Sequence, residues 1–240
     1  MVLAVSCIGV ATTDMAVAAG GACQGLPTHA DLTTALTNAR NESNGGFNLD
    51  MWATVVNRDG IVCAVTFTGT DRGDQWPGSR AISAQKANTA NAFSLPGLAL
   101  STANLYTAVQ PGGSLFGLQE SNPVDTDVAY AGNSNNYGKS NDPMVGKKIG
   151  GVNVFGGGLG LYDSNDTLIG AIGVSGDSSC ADHFIAWRTR DALSLDYVPA
   201  GVSGDDDRKD NIVFTGPWAQ PHCLDAKTED GLAATMPTNN

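Results

Sequence analysis

Two short β-branched runs separated by four turn residues give the clearest pattern in the chain. MWATVV (51–56) and IVCAVTFT (61–68) flank Asn57-Arg58-Asp59-Gly60, where Asp-Gly suits a tight turn with positive φ, so the spacing predicts a hairpin. Runs at 152–163 and 167–175 around Asp163-Ser164-Asn165-Asp166 predict a second. Helical periodicity appears over 28–40, where Leu32, Ala35, Leu36 and Ala39 form one stripe. Thr28 stands at its N-cap, with Asp31 three residues on as in a capping box. The segment PGSRAISAQKANTANAFS carries a stripe of Ala81, Ile82, Ala84, Ala87, Ala90 and Phe93, whose small residues permit close approach of another backbone. Further helices are expected over 99–109 and over 180–192, the latter with Ser179 as N-cap and Asp182 at N3.

Residues 110–150 differ in kind. They are crowded with Gly, Pro, Asn, Asp and Ser and show little periodicity, which predicts an insertion with its own short strands packed over one face. The tail from 194 to 240 is turn-rich, with one strand expected at NIVF (211–214). Hairpins interleaved with helices suit an α+β domain, an antiparallel sheet of about five strands with helices packed on it. The expected organisation is an export leader or disordered arm at 1–22, one domain at 23–193 with the insertion at about 110–150, and a C-terminal extension at 194–240.

Composition narrows the partners. The chain is 42% hydrophobic and only 15% charged, which describes a folded, loop-rich protein. Its net charge of −11, with no basic cluster beyond Lys147-Lys148, argues against nucleic acid and anionic membrane surfaces. Ala16-Val17-Ala18 fits a leader-peptidase site after an apolar start, although Asp14 interrupts that start and no basic residue precedes it. No run elsewhere approaches the length of a membrane span. Setting aside Cys7, four cysteines remain, which permit three pairings. Pairing of sequence neighbours, Cys23–Cys63 and Cys180–Cys223, would close two loops of about 40 residues, each contributing ~3–4 kcal/mol in the chain-entropy picture. The competing use is a zinc site from the C-x-x-H pair Cys180 and His183 with His222 and Cys223; the two uses exclude each other.

The glycine cluster at 156–158 is not a phosphate loop. The fingerprint G-x-G-x-x-G fails in every frame through it, and the cluster opens a strand where a dinucleotide loop must open a helix. GNSNNYGKS has five residues between its glycines where a Walker loop needs four. GVSGD places Asp177 where a nucleophile elbow needs glycine. His29 and His183, each in the first turn of an expected helix, are candidate haem-iron ligands, with Met51 and Met144 as softer alternatives; lone histidines are more often surface or capping residues. Asp177, His183 and Arg80 are the polar candidates for acid–base work in a pocket.

Taken in order, VVNRDGIVCAV, SAQKANTANAF, FGGGLGLYDSNDTLIGAIGVSGD and CADHFIAWRTR resemble the GlcG/HbpS-like (DUF336) haem-binding proteins, which include the C-terminal domain of PduO-type proteins. The resemblance covers roughly 26–109 and 150–192. It implies a profilin-like sandwich, self-association into homo-oligomers, a haem or other tetrapyrrole ligand, and a secreted or periplasmic location. By motif match, Lys86, Gly157, Gly158, Gly173 and Gly176 carry over as pocket-forming positions. His29 is the implied position for an iron ligand, with His183 as a second cofactor-facing candidate. The expected function is an exported haem-binding protein acting in binding, storage or sensing; the alternatives are an enzyme on a small organic molecule and a ligand-free oligomeric module.

Overall fold

The computed structural model describes residues 21–240. The leader expected at 1–22, with Cys7 and the Ala16–Ala18 site, lies outside the described residues save for its last two. The elements are α1 (His29–Asn41), β1 (Trp52–Asn57), β2 (Val62–Phe67), α2 (Ser79–Phe93), β3 (Gly158–Tyr162), β4 (Leu168–Ser175), α3 (Ser179–Ala192) and α4 (Ala226–Thr235). Both hairpins form, and β1 pairs antiparallel with β4 to join them into one sheet of order β2-β1-β4-β3.

The sheet has four strands, one short of expectation. NIVF does not pair, because Asn211 and Ile212 are turned inward onto α3, where the Ile212 N–H reaches His183 Nε2 at 3.0 Å. The 110–150 segment, expected as an insertion, builds single helical turns, Leu118–Ser121 and Thr126–Ala129, in place of short strands. Its Asp and Asn side chains satisfy nearby backbone donors locally: Asp125 caps the second turn and Asn133 accepts from Asn135 N. The helix expected over 99–109 reduces to a 3₁₀ turn, Ala103–Leu105, and one α turn, Tyr106–Val109. The tail, expected to be turn-rich with one strand, contains α4, capped by Asp225.

Local chemistry explains the main elements. Thr28 and Asp31 make both bonds of the capping box on α1. On α3 the cap is Ser178, one residue earlier than expected, whose hydroxyl accepts from Ala181 N. Asp182 is thereby one position beyond N3, and its carboxylate is buried. β1 is buried along its whole length because both faces are covered. Ala53 and Val55 join Leu32, Leu36, Phe184 and Trp187 beneath α1 and α3, while Trp52 and Val56 join Ala81, Ala84 and Ala87 beneath α2. The result is helix, sheet, helix.

Two disulfides pin the periphery to this frame. Cys23–Cys63 ties the start of the described chain to β2, and Cys180–Cys223 ties the tail to α3. Because the Cys180 and Cys223 sulfurs are bonded to each other, the four-ligand zinc site does not form. The tail packs into the α1/α3 core through Ile212, Leu232 and Met236. Both sheet edges are partly occupied. Along β3, Thr102 N donates to Gly158 O, Arg190 Nη1 donates to Gly160 O, and Tyr162 N donates to Leu195 O. At the start of β2, Val62 exchanges backbone hydrogen bonds with Lys147 and Gly146. Among the described residues no helix is long and apolar enough to cross a membrane.

Candidate functional site

Lys86, Gly157 and Gly158 are brought together, but around protein atoms. Lys86 is fully buried at the centre of α2, with Nζ 2.7 Å from Asp182 Oδ2 and 3.1 Å from Val174 O, and with the Phe155 ring centroid 4.9 Å away. Burial pushes the Lys86 ammonium below its ordinary range and the Asp182 carboxyl up to about 6, each shift opposed by the partner's charge. Gly157 adopts φ +117, and a Cβ there would lie 3.0 Å from Lys86 Nζ and 3.1 Å from Asp182 Cβ. A Cβ on Gly158 would lie 2.6 Å from Lys86 O. Gly173 abuts the α2 backbone at Ser83 and Ala87, and Gly176 abuts Asp50 and Met51. These glycines let a helix and a loop sit directly on bare strand.

The three polar candidates for acid–base work are not gathered. Asp177 accepts from the backbone N–H groups of Phe47, Leu49 and Ser178, so it staples the 42–50 loop to the start of α3. Arg80 forks onto Asp142, donates to Ala129 O at 2.6 Å, and stacks over Tyr137 with 3.7 Å to the ring centroid. His183 is 0% exposed; its Nε2 accepts from Ile212 N, and its Nδ1 has no partner. Met51 and Met144 are likewise fully buried, out of reach of an external ligand.

Burial lowers the His183 imidazole from 6.5 to about 4. A depressed basic group contributes stability that is fully present above its unfolded value and lost as pH falls toward the folded one. Wild-type stability should therefore drop between pH 6.5 and 4 by on the order of 3 kcal/mol from this residue. His183→Gln, which keeps an acceptor for Ile212 N, should flatten that window in urea melts; an unchanged slope would show the imidazole is not held neutral.

His29 stands apart from these buried groups. It opens α1, is half-buried, and has Nε2 2.9 Å from Gly138 O. A carbonyl can only accept, so Nε2 carries the proton and Nδ1 keeps its lone pair, with no hydrogen-bond partner among the described residues. That is the state in which an imidazole binds a metal, with the second nitrogen oriented by a carbonyl. Exposed Lys139 follows Gly138 in the chain. His222 also keeps a free Nδ1, since Nε2 lies 2.9 Å from Asp230 Oδ1, and its ring stacks on Phe214 at 3.9 Å. The His29 nitrogen fits haem, which takes one neutral imidazole at iron.

Beside this corner lies a cleft of about 330 Å³ between the 71–81 segment and the insertion. Trp52, Arg80 and Ala81 form one wall, and Tyr130, Ser134 and Tyr137 the other. Gly138 connects cleft and histidine: its carbonyl holds His29, and a Cβ on it would meet Trp52 and Phe67. Of these cleft residues the sequence singled out Arg80 as a polar candidate and Ala81 only as part of a helical stripe. The one available signal was the aromatic content of an otherwise polar insertion.

A single antiparallel sheet between an α1/α3 layer and a glycine-seated α2 defines an α+β sandwich. The chain belongs to the haem-degrading protein HbpS-like family, whose family model matches residues 28–190. His29 lies inside the matched region and His222 outside it. Among solved structures, the chain is similar to the PduOC:heme complex, with 23% identity over 69% of this chain and 91% of that one and a TM-score of 0.48. It is also similar to the Klebsiella pneumoniae DUF336 protein ORFY, with 26% identity over 70% of this chain and 90% of that one and a TM-score of 0.45. No curated protein sequence matches it.

Proposed function

We propose that the chain is an exported haem- or tetrapyrrole-binding protein, acting in haem binding, storage or sensing, with His29 as iron ligand. The observation that carries the reading is the His29 imidazole, tied at Nε2 and open at Nδ1, within a chain of the HbpS-like family. Haem would supply the iron and its ligand-exchange chemistry; the chain supplies the nitrogen, its orientation through Gly138 O, and a nearby cation at Lys139. Lys86, Gly157, Gly158 and Gly176 act behind this corner by fixing how α2 and the 42–50 loop seat on the sheet. Haem degradation, which the family description names, requires haem to be held first, so binding is the step to test.

Two disulfides support a secreted or periplasmic location, since such bonds persist in oxidising compartments. Exposed Phe47 and Trp76, edge to face at 6.3 Å, support self-association into a homo-oligomer. Haemin added stoichiometrically should give a shifted Soret band, and His29→Ala should move that band and weaken binding by about tenfold or more. No spectral change at one equivalent, or an unaltered titration in His29→Ala, would overturn the assignment.

A further inference from the structure

We propose that Arg80 and Asp142 are positioning residues for His29, which they reach through the backbone of Gly138. Their part in haem binding rests on the reading of His29 as iron ligand; their hold on the imidazole does not. The bond that orients this ring comes from far along the chain, with Gly138 O 2.9 Å from Nε2 across a separation of 109 residues. A side chain oriented by a loop carbonyl is placed only as well as that loop is.

Asp142 fixes the loop. Its carboxylate, 2% exposed, accepts from Gly138 N at 2.7 Å and from Met144 N at 2.9 Å. Each of its oxygens also takes an Arg80 donor, Nε on Oδ2 at 2.9 Å and Nη2 on Oδ1. One carboxylate thus closes the 138–144 turn, and a bidentate fork anchors that turn to the first residues of α2. The same guanidinium donates through Nη1 to Ala129 O at 2.6 Å and lies over the ring of Tyr137, the residue before Gly138. Gly138 completes the aim: its φ is +74, and a Cβ on it would run into Phe67 and Trp52, so its backbone is seated against the sheet. On the other side of the bond, Thr33 Oγ1 donates to His29 O at 2.7 Å and meets Thr66 Oγ1 of β2 at 2.7 Å. Helix and sheet therefore hold the histidine, while Arg80 and Asp142 hold its acceptor. A buried ion pair is weak ground for stability, since well-packed apolar residues often serve as well. Apolar residues would leave the Gly138 and Met144 amides ungripped, and with them the carbonyl that faces His29.

Nitrogen-15 spectra of the haem-free protein in weakly alkaline buffer test this. The His29 Nε2–H, assigned by its loss in His29→Ala, should be protected from exchange with water. Asp142→Asn cannot accept at both oxygens, and Arg80→Lys keeps the charge but loses the fork; each should abolish the protected signal. Asp125→Ala uncaps an exposed turn of the same segment and should leave it intact. Haemin should bind Asp142→Asn about tenfold more weakly, and its iron should show a higher midpoint potential in Arg80→Lys, because the imidazole loses the acceptor that raises its basicity. Circular dichroism checks each fold, and Arg80→Lys decides the matter if Asp142→Asn does not fold. An unprotected Nε2–H in wild type, a protected one in folded Arg80→Lys, or equal loss in Asp125→Ala would each overturn the proposal. Protection that depends on Arg80 in a protein that takes up no haemin would sink the haem reading alone; haemin uptake with protection indifferent to Arg80 would sink the positioning alone.

Discussion

Gly173→Ala should destabilise the protein by at least about 3 kcal/mol, a large share of the 5–15 kcal/mol that holds a typical domain folded. Gly173 sits in β4 opposite Thr54 on one side and Gly158 on the other, facing α2. A Cβ there would fall inside the van der Waals envelope of Ser83 O and Ala87 N. Both are main-chain atoms of a helix, so no side-chain rotation can relieve the overlap; α2 as a whole must lift. Lifting it would separate Ala84 and Ala87 from Val56 and Ala171 and open a gap across the cluster on that face. Gly97, with no atom within 4 Å of a built Cβ, supplies the control, and Gly97→Ala should lie within about 0.5 kcal/mol of wild type. Urea denaturation followed by circular dichroism reads both; near-equal midpoints for the two variants would mean α2 is not seated on β4.

Lys86→Met should cost about 3–5 kcal/mol at neutral pH, because it leaves the Asp182 carboxylate buried without its cation. The Asp177 N–H, 2.9 Å from Asp182 Oδ1, is then its remaining donor of note. A carboxyl raised to about 6 in the native state contributes stability at low pH that is lost as pH rises through that value. Removing Lys86 raises the carboxyl further, so the deficit of the variant should shrink at pH 5 and grow at pH 8. The Lys86 charge also helps hold His183 neutral, so the comparison is made in a His183→Gln background, where the difference isolates this pair. Lys86→Met/Asp182→Leu should recover most of the loss, as apolar replacements of buried ion pairs commonly do. A single variant with unchanged stability, or a deficit indifferent to pH, would refute the buried-pair account.

The legible parts of the chain were those whose cause is local. Thr28 and Asp31 announce α1 because a capping box is made within four residues, and Asn57–Gly60 announces a hairpin because its turn is made within four. Ser178 displaced Ser179 as the α3 cap because two adjacent serines offer the same chemistry, and the fold chose the one that buries Asp182. α4 went unread because AKTEDGLAAT has a glycine near its middle and a weak apolar stripe; its Glu229 is buried by accepting from Cys223 N and Leu224 N in the disulfide loop. NIVF has strand composition, but a strand needs a free edge, and β3 had already given its edge to Thr102, Arg190 and Leu195. The cleft joins residues 52, 72, 80, 130 and 137, and no periodicity links positions that far apart. The motif-derived glycines marked a real constraint, namely how closely a helix can approach a strand.

The hydrogen-bonding of β3 bears on how copies of this protein can meet. With successive outward groups of that strand taken by a threonine amide, an arginine and a loop carbonyl, no second chain can continue the sheet there. Growth of the sheet from subunit to subunit, as in fibrils or strand-swapped dimers, is blocked at that end. A protein with 30 glycines and long irregular segments thereby keeps that strand from templating a partner.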